Sequence, residues 1–196
     1  MTPYRQSVRS LLRERLLDAA YDLVAADGWA KMRMTRLANA AGVSRQTVYT
    51  EFGSRDAIGE ALVLREEERF LNGLREELDA DIGDLRAAVA AGARFMLRQA
   101  AENHLIKTIL TSTHNGNEEL LALLTTRSDR LVRTAEMWLD AYVAETWPMI
   151  DPASRSLAIE TAVRLTISHI VQPAASAEET AERVGEIVVR VAFPSR

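Results

Sequence analysis

Apolar residues recur at intervals of three and four along most of the chain, which is the spacing of one face of an α-helix. A chain whose apolar positions keep this period after each break is typical of the all-α class. The pattern predicts nine helices, at residues 8–26, 34–41, 45–52, 55 to about 78, 85–101, 106–113, 118–147, 152–171 and 177–193.

Helix-ending and helix-starting residues separate these segments. Gly28 and Gly53 end the first and third helices, and the sequence ADIGD at 80–84 interrupts the pattern. Asp151-Pro152 is typical of a helix start, because proline fits the first turn. Ser176 and Glu179 have the spacing of a capping box. The boundaries therefore depend on local backbone chemistry as well as on periodicity.

The segment from Met34 to Ile58 carries the clearest functional signal. Two short helices are joined there by a turn at Gly42, which can adopt a positive φ, and Ser44 is positioned to cap the second helix. Such a pair forms a helix-turn-helix, although packed short helices are common in any all-α domain. The outward side chains favour DNA binding, because Arg, Gln and Thr at 45–47 can address base edges, while the Ser, Tyr and Arg residues around them suit phosphate oxygens.

This segment resembles the DNA-binding segment of TetR-type (tetracycline-repressor-like) transcriptional regulators. The positions that match the family pattern in register are Ala38, Ala41, Gly42, Val43, Ser44, Thr47, Val48, Tyr49, Phe52, Ser54, Asp56 and Ile58. The resemblance implies a nine-helix architecture, with a three-helix DNA-binding domain over 1–54 and a helical effector-binding and dimerisation domain over 55–196. It implies DNA contacts for Thr35, Ser44, Arg45, Gln46, Thr47, Tyr49 and Arg55, with residues 45–47 as the base readers.

Two residues depart from the family pattern. Arg33 stands where a Thr or Ser usually caps the first helix of the motif. Glu51 stands where the family often has His, Tyr or Asn, and a carboxylate that faced the DNA would be repelled by phosphate. Glu51 keeps open an alternative, an all-helical ligand-binding or interaction protein with a degenerate helix-turn-helix.

Charge is distributed unevenly along the chain, whose net charge is −4. Residues 1–55 contain nine Lys/Arg and five Asp/Glu, whereas the remaining residues contain 15 and 23. A basic N-terminal quarter fits a DNA-binding unit attached to a part that does not contact DNA. Residues 1–7 are expected to form a polar arm, with Arg5 reaching phosphate or a minor groove unless the terminus is simply frayed.

Several other functions find no support in the residue types. The sequence has no cysteine, and no apolar run approaches the length of a membrane helix, so we expect a cytoplasmic protein without a membrane partner. Motifs of metalloproteases, phosphate loops and nucleophile elbows do not occur. His104, His114 and His169 lack the i, i+4 spacing of a metal-binding pair. The sequence predicts a non-enzyme with no metal and no cofactor.

The last two predicted helices carry apolar residues on more than one side, which indicates burial against more than one neighbour. The resemblance implies a four-helix contact between two subunits, because a two-fold dimer suits palindromic DNA. An ordinary intramolecular core is the alternative. The residues assigned to the dimer contact are Ala162, Leu165, His169, Val184, Ile187, Val188 and Val191.

The resemblance also implies an effector pocket among the middle helices and residues 157–170. Apolar and aromatic positions prevail there without a cluster of Arg or Lys, which favours a mostly apolar ligand. The candidate lining residues are Phe95, Gln99, His104, Ile109, Trp138, Tyr142, Thr166 and His169, and plain core packing is the alternative for each. The complete hypothesis is a homodimeric, one-component repressor that binds palindromic operator DNA and is released by a small molecule.

Overall fold

The computed structural model describes residues 3–103 and 133–194, and within these ranges all regular structure is helical. The eight α-helices of these ranges, in chain order, are α1 (Pro3–Asp27), α2 (Met34–Ala40), α3 (Arg45–Phe52), α4 (Arg55–Ala80), α5 (Leu85–Glu102), α6 (described over 133–146), α7 (Pro152–Val171) and α8 (Ala177–Ala192). The all-α prediction is confirmed. The helix predicted at 106–113 lies outside the described residues.

The start of α1 differs from the prediction. Residues 3–7 are the first part of the helix, with Pro3 at its first position, so they do not form the expected polar arm. Proline is accommodated there because the first turn needs no backbone N–H donors. Arg5 is therefore an exposed side chain on α1.

Three helix starts are capped by the side chains that the sequence indicated or allowed. Asp151 Oδ1 accepts hydrogen bonds from the backbone N–H groups of Ala153 and Ser154, both at 3.1 Å. Ser176 and Glu179 form the reciprocal capping box. Asp84, at the end of the predicted break, caps α5 in the same way as Asp151 caps α7. These caps satisfy N–H groups that helix starts leave without partners.

The chain forms two compact units, Met1–Glu68 and Arg69–Arg196. In the first unit the apolar sides of α1, α2, α3 and the start of α4 are buried, and the most deeply buried side chains are Leu16, Met32, Leu37, Val48 and Ile58. Trp29 and Met34 are also buried. No helix within the described ranges combines the length and apolarity of a membrane span.

A buried guanidinium links α1 to α4 inside the first unit. Arg65 is 8% exposed, and its Nη1 donates to Asp18 Oδ1 at 2.8 Å. Its Nη2 donates to Glu66 Oε1 at 3.3 Å, and a Glu14 carboxylate oxygen lies 3.5 Å from Nη1. A buried charge needs such partners, because its desolvation is costly. The network therefore requires α1 and α4 to keep their positions relative to each other.

In the second unit α8 packs closely against α5. A Cβ added at Gly185 would lie 2.7 Å from the backbone oxygen of Arg86, so only glycine permits this approach. Alanines on α5, including Ala88 and Ala90, belong to the same apolar core. At the surface of the contact, Arg94 donates two hydrogen bonds of 2.7 Å to Glu178. Small side chains inside and ion pairs outside thus join the two helices.

Candidate nucleic-acid interface and ligand cavity

The turn between α2 and α3 has the geometry of a helix-turn-helix. Gly42 has φ +65°, and the N–H of Val43 donates to the Ala38 oxygen at 2.9 Å. Ser44 Oγ accepts from the N–H of Thr47 at 3.0 Å, which confirms the predicted cap of α3. Val48 is completely buried between the helices. The backbone of α3 is therefore fixed at its start by the cap and along one side by packing.

Several polar side chains of α3 are exposed. Arg45, Gln46 and Tyr49 face solvent, and Arg45 Nη2 donates to Tyr49 Oη at 3.2 Å. The Arg45 guanidinium also lies 5.2 Å from the centre of the Tyr49 ring, within cation–π range. The structure thus brings two of the predicted DNA-contacting side chains into one hydrogen-bonded pair.

The other predicted DNA-contacting residues have different environments. Thr35 is exposed on α2, whereas Thr47 is half-buried with its hydroxyl 2.9 Å from Ser44 Oγ. Arg55 is half-buried, and its Nη2 donates to the Trp29 oxygen at 2.9 Å while the guanidinium lies over the Trp29 ring. Arg55 therefore has a structural role in the first unit, in addition to any contact with DNA.

The two departures from the family pattern are explained by intramolecular contacts. Arg33 occupies the N-cap position of α2 without a side-chain cap, and its guanidinium instead donates to the Met32 oxygen at 3.0 Å. The carboxylate of Glu51 lies against α1, where Arg9 Nε donates to Oε2 at 2.8 Å. Its side chain is only 10% exposed. The negative charge that argued against DNA binding is thus already neutralised by a partner.

Sequence reasoning missed the partners of α3 on α1. Arg9 and Arg13 are 42 and 38 residues away from Glu51 along the chain. Their positions four residues apart place them on one side of α1, but nothing in the sequence specifies which helix that side contacts. The signal that was available is the recurrence of arginine at positions 9 and 13, beside the apolar residues of the first helix.

The second unit contains a cavity of about 70 Å³ with an almost entirely apolar wall. It lies among α4, α5, α6, α7 and α8, and among the described residues of its wall only Arg155 and Thr166 carry polar side chains. Thr166 donates its hydroxyl proton to the Ala162 oxygen at 2.8 Å. Arg155 Nε donates to Asp140 Oδ1 at 2.7 Å. This hydrogen bond to Asp140 raises the pKa of Arg155 above its ordinary value.

The predicted effector-binding residues are only partly brought together. Thr166 lines the cavity, as does Ala93 on α5. Gln99 and His169 are half-buried outside the lining. His104 and Ile109 lie outside the described residues. The side of α6 that faces the cavity carries Leu139 and Val143, which sequence reasoning did not select.

The predicted aromatic residues form packing contacts of their own, apart from the cavity wall. Trp138 and Tyr142 stack with ring centres 5.5 Å apart, and Tyr142 donates its hydroxyl proton to Asp79 Oδ1 at 2.6 Å. Phe95 packs against Phe70 at 5.4 Å. The periodicity correctly marked these residues as buried or half-buried, but it did not distinguish the aromatic cluster from the cavity lining.

The residues assigned to the dimer contact divide into two groups. Val184 and Val188 are 2% and 4% exposed, because α8 turns them toward the core of its own subunit, so neither presents a surface to a partner. Ile187 is 39% exposed. The half-buried members of the predicted set are Ala162, Leu165, His169 and Val191. Leu157 on α7 is a further exposed apolar side chain.

Comparison with known proteins connects this arrangement to one family. The model for bacterial regulatory proteins of the tetR family matches residues 16–62, and the model for the C-terminal domain of the bacterial tetracyclin repressor matches residues 84–190. The HTH-type transcriptional regulator AlkX of Mycobacterium tuberculosis (strain ATCC 25618 / H37Rv) is 30% identical over 186 residues, 95% of this chain and 87% of that protein.

Two solved structures extend the comparison. The TetR family repressor AlkX from Dietzia sp. strain DQ12-45-1b, implicated in biodegradation of n-alkanes, is 28% identical with a TM-score of 0.66. The match covers 91% of this chain and 96% of that one. FadR from Bacillus subtilis, in complex with stearoyl-CoA, has a TM-score of 0.60 over 90% of this chain and 97% of that one. Its identity of 17% supports a shared fold alone.

The Tyr142–Asp79 contact predicts a specific loss of stability at alkaline pH. Burial, together with the hydrogen bond to Asp79, raises the pKa of Tyr142 to about 12. An unfolded chain has a tyrosine pKa of about 10, so this contribution is complete below pH 10 and disappears as the pH rises toward 12. The advantage of wild type over Tyr142→Phe in free energy of unfolding should shrink by about 1 kcal/mol between pH 9 and pH 11. Urea titrations at each pH measure both free energies of unfolding. A difference between the two proteins that does not change with pH would contradict the raised pKa of Tyr142.

Proposed function

The chain belongs to the TetR family of bacterial transcriptional regulators, and we propose that it is a repressor that reads operator DNA with α3. The observation that carries this proposal is the capped α3, whose buried side holds it in place while Arg45, Gln46 and Tyr49 face solvent. Arginine and glutamine are the side chains best suited to paired hydrogen bonds with guanine and adenine. Tyr49, Ser44 and Thr35 suit phosphate oxygens.

The alternative, a degenerate helix-turn-helix without DNA binding, depended on the charge of Glu51. That carboxylate is paired with Arg9 and mostly covered. The motif therefore presents no unpaired acidic group on α3, and the structural reason for preferring the alternative is absent.

We place the dimer contact on the accessible sides of α7 and α8. These helices pack against each other in one subunit and leave Leu157 and Ile187 exposed. Ala162, Leu165 and Val191 are half-buried and can lose their remaining exposure in a contact with a second copy. A two-fold pair would present two copies of α3 to the two halves of a palindromic operator.

The apolar wall and small volume of the cavity support the proposal of an apolar effector that enlarges the site when it binds. Ligand pockets usually have volumes of about 300–1,000 Å³, and the cavity between α5 and α7 measures about 70 Å³. A bound ligand would therefore separate the surrounding helices. Such a ligand favours an expanded conformation, and it releases DNA if that conformation binds the operator less tightly.

The chemistry of the wall indicates an aliphatic chain with one polar end. Within the described part of the chain, the wall is apolar except for Thr166, whose donor is satisfied internally, and Arg155, whose guanidinium is paired with Asp140. A ligand headgroup that accepts hydrogen bonds would meet the cation at Arg155. The Dietzia relative is described as implicated in n-alkane biodegradation, which supports an alkyl ligand or an oxidised derivative such as an alkanol or alkanoate.

Operator reading is tested with DNA from the region upstream of the protein's own gene. Arg45→Ala should lose discrimination at particular base pairs, by about 1–3 kcal/mol for a bidentate contact. Tyr49→Phe should weaken binding to all sequences alike, because it removes a phosphate-directed hydroxyl. Mobility-shift titrations at several salt concentrations on single-base operator variants measure both effects. Equal, sequence-independent losses for the two variants would contradict the role of Arg45, and a wild type without salt-dependent DNA binding would contradict the proposed function.

The dimer contact is tested by placing a charge on its exposed residue. Ile187→Glu should shift the protein from dimer to monomer, because an unpaired charge is costly inside an interface. Ile82→Glu is the matched control, since Ile82 is an exposed isoleucine in the turn between α4 and α5. Light scattering coupled to size-exclusion chromatography measures the mass. If Ile187→Glu remains a folded dimer, the interface lies elsewhere.

The effector site is tested by filling the cavity. Decanoate and decanol should raise the melting temperature of the wild type and weaken operator binding together. Ala93→Leu adds three carbons to the wall and should abolish both responses while sparing DNA binding. Ala101→Leu, at an exposed position of the same helix, is the matched control and should respond like the wild type. Persistence of both responses in Ala93→Leu would place the ligand outside this cavity.

A further inference from the structure

Two arginines of α1 hold the last turn of α3. The guanidinium of Arg13 lies 4.2 Å from the centre of the Phe52 ring, and its Nη1 donates to the backbone oxygen of Glu51 at 3.2 Å. Four residues earlier on α1, Arg9 Nε donates to the Glu51 carboxylate at 2.8 Å. The backbone and the side chain of Glu51 therefore each have a cationic partner on the same helix.

These contacts satisfy two electrostatic requirements of α3. The carbonyl end of a helix carries a partial negative charge, and a guanidinium placed there is stabilising. Arg13 occupies that position. Glu51 adds a full negative charge on the same turn, and Arg9 neutralises it. The side chain of Arg9 itself is about half exposed.

The pair matters for DNA because of what an unpaired Glu51 would do. Glu51 is on the helix proposed to enter the groove, only two residues after the exposed Tyr49. An uncompensated carboxylate there would repel phosphate at short range, whatever the DNA sequence. The ion pair replaces this repulsion with a local neutral unit whose carboxylate points toward α1.

We propose that Arg9 is a positioning residue for DNA binding, which acts by pairing with Glu51 and keeping its carboxylate turned away from the DNA. This inference rests on the proposed function of α3 as the reader helix. Arg9 acts through Glu51, and it contributes no base discrimination of its own. A basic residue at position 9 is required only because an acidic residue occupies position 51.

The experiment compares Arg9→Ala, Glu51→Gln and the double variant in operator mobility shifts with the full-length protein. Arg9→Ala should weaken binding to operator and to unrelated DNA alike, by about ten-fold. Glu51→Gln removes the charge and should bind within about two-fold of the wild type. The double variant should recover the affinity lost in Arg9→Ala, because no carboxylate then needs a partner. Arg98→Ala, which removes an arginine paired with Glu77 in the second unit, controls for the change in net charge.

A direct contact between Arg9 and phosphate gives a different pattern. In that case Glu51→Gln would not restore the affinity of Arg9→Ala, and the slope of log affinity against log salt would fall by about 0.9. That outcome would overturn the proposal while leaving DNA binding by α3 intact. Thermal melts confirm that each variant is folded. Unchanged DNA affinity in Arg9→Ala would also overturn the proposal that Arg9 acts through Glu51. A wild type that binds no DNA would instead refute the proposed function.

Discussion

Burial of the apolar side of α3 is the constraint on which the proposed DNA-binding surface depends. Val48 and Phe52 are four residues apart and both lie in the core of the first unit. Because an α-helix turns about 100° per residue, placing these two side chains inside turns Gln46 to the opposite side and Tyr49 to the flank. Arg45 is the first residue of α3, and its side chain is exposed there. The cap at Ser44 fixes where the helix starts, so the same few contacts determine both the axis and the rotation of α3.

The orientation of the Glu51 side chain follows from the same constraint. Glu51 precedes the buried Phe52, so its side chain emerges at the edge of the buried side and meets α1. Arg9 and Arg13 then compensate both the carboxylate and the helix end. In the sequence alone, the acidic residue argues against DNA binding. In the folded protein it is compatible with DNA binding, because the electrostatic effect of a carboxylate depends on its ion-pair partner and on its orientation.

The second unit is organised by close helix packing. Gly185 and the alanines of α5 allow α8 to approach until little space is left, and the remaining cavity is much smaller than a usual ligand site. Packed cores resist continuous deformation, so a ligand that needs more space favours a distinct, opened arrangement. A ligand that binds only the opened arrangement contributes a differential binding energy, which is the physical requirement for effector control.

Local sequence determined the helices, their caps and the identity of the functional motif. The glycine at 42, the serine at 44 and the capping pair at 176 and 179 act through neighbours within a few residues, so their effects follow from spacing alone. The exposed set on α3 was predictable for the same reason. The all-α class and the family followed from these features without any tertiary contact.

Tertiary structure alone decided which apolar residues face which neighbour. Val184 and Val188 were expected at a subunit contact but pack inside their own subunit, whereas Ile187, between them in the helix, remains exposed. Tyr142 was expected in the effector pocket but packs in an aromatic cluster, whereas Leu139, which was not selected, lines the cavity. Hydrophobic burial is non-directional, so periodicity identifies a buried stripe without naming its partner. The partners of Glu51 lie on α1, about forty residues away, and the sequence does not predict them. Only the packing of the helices brings those charges together.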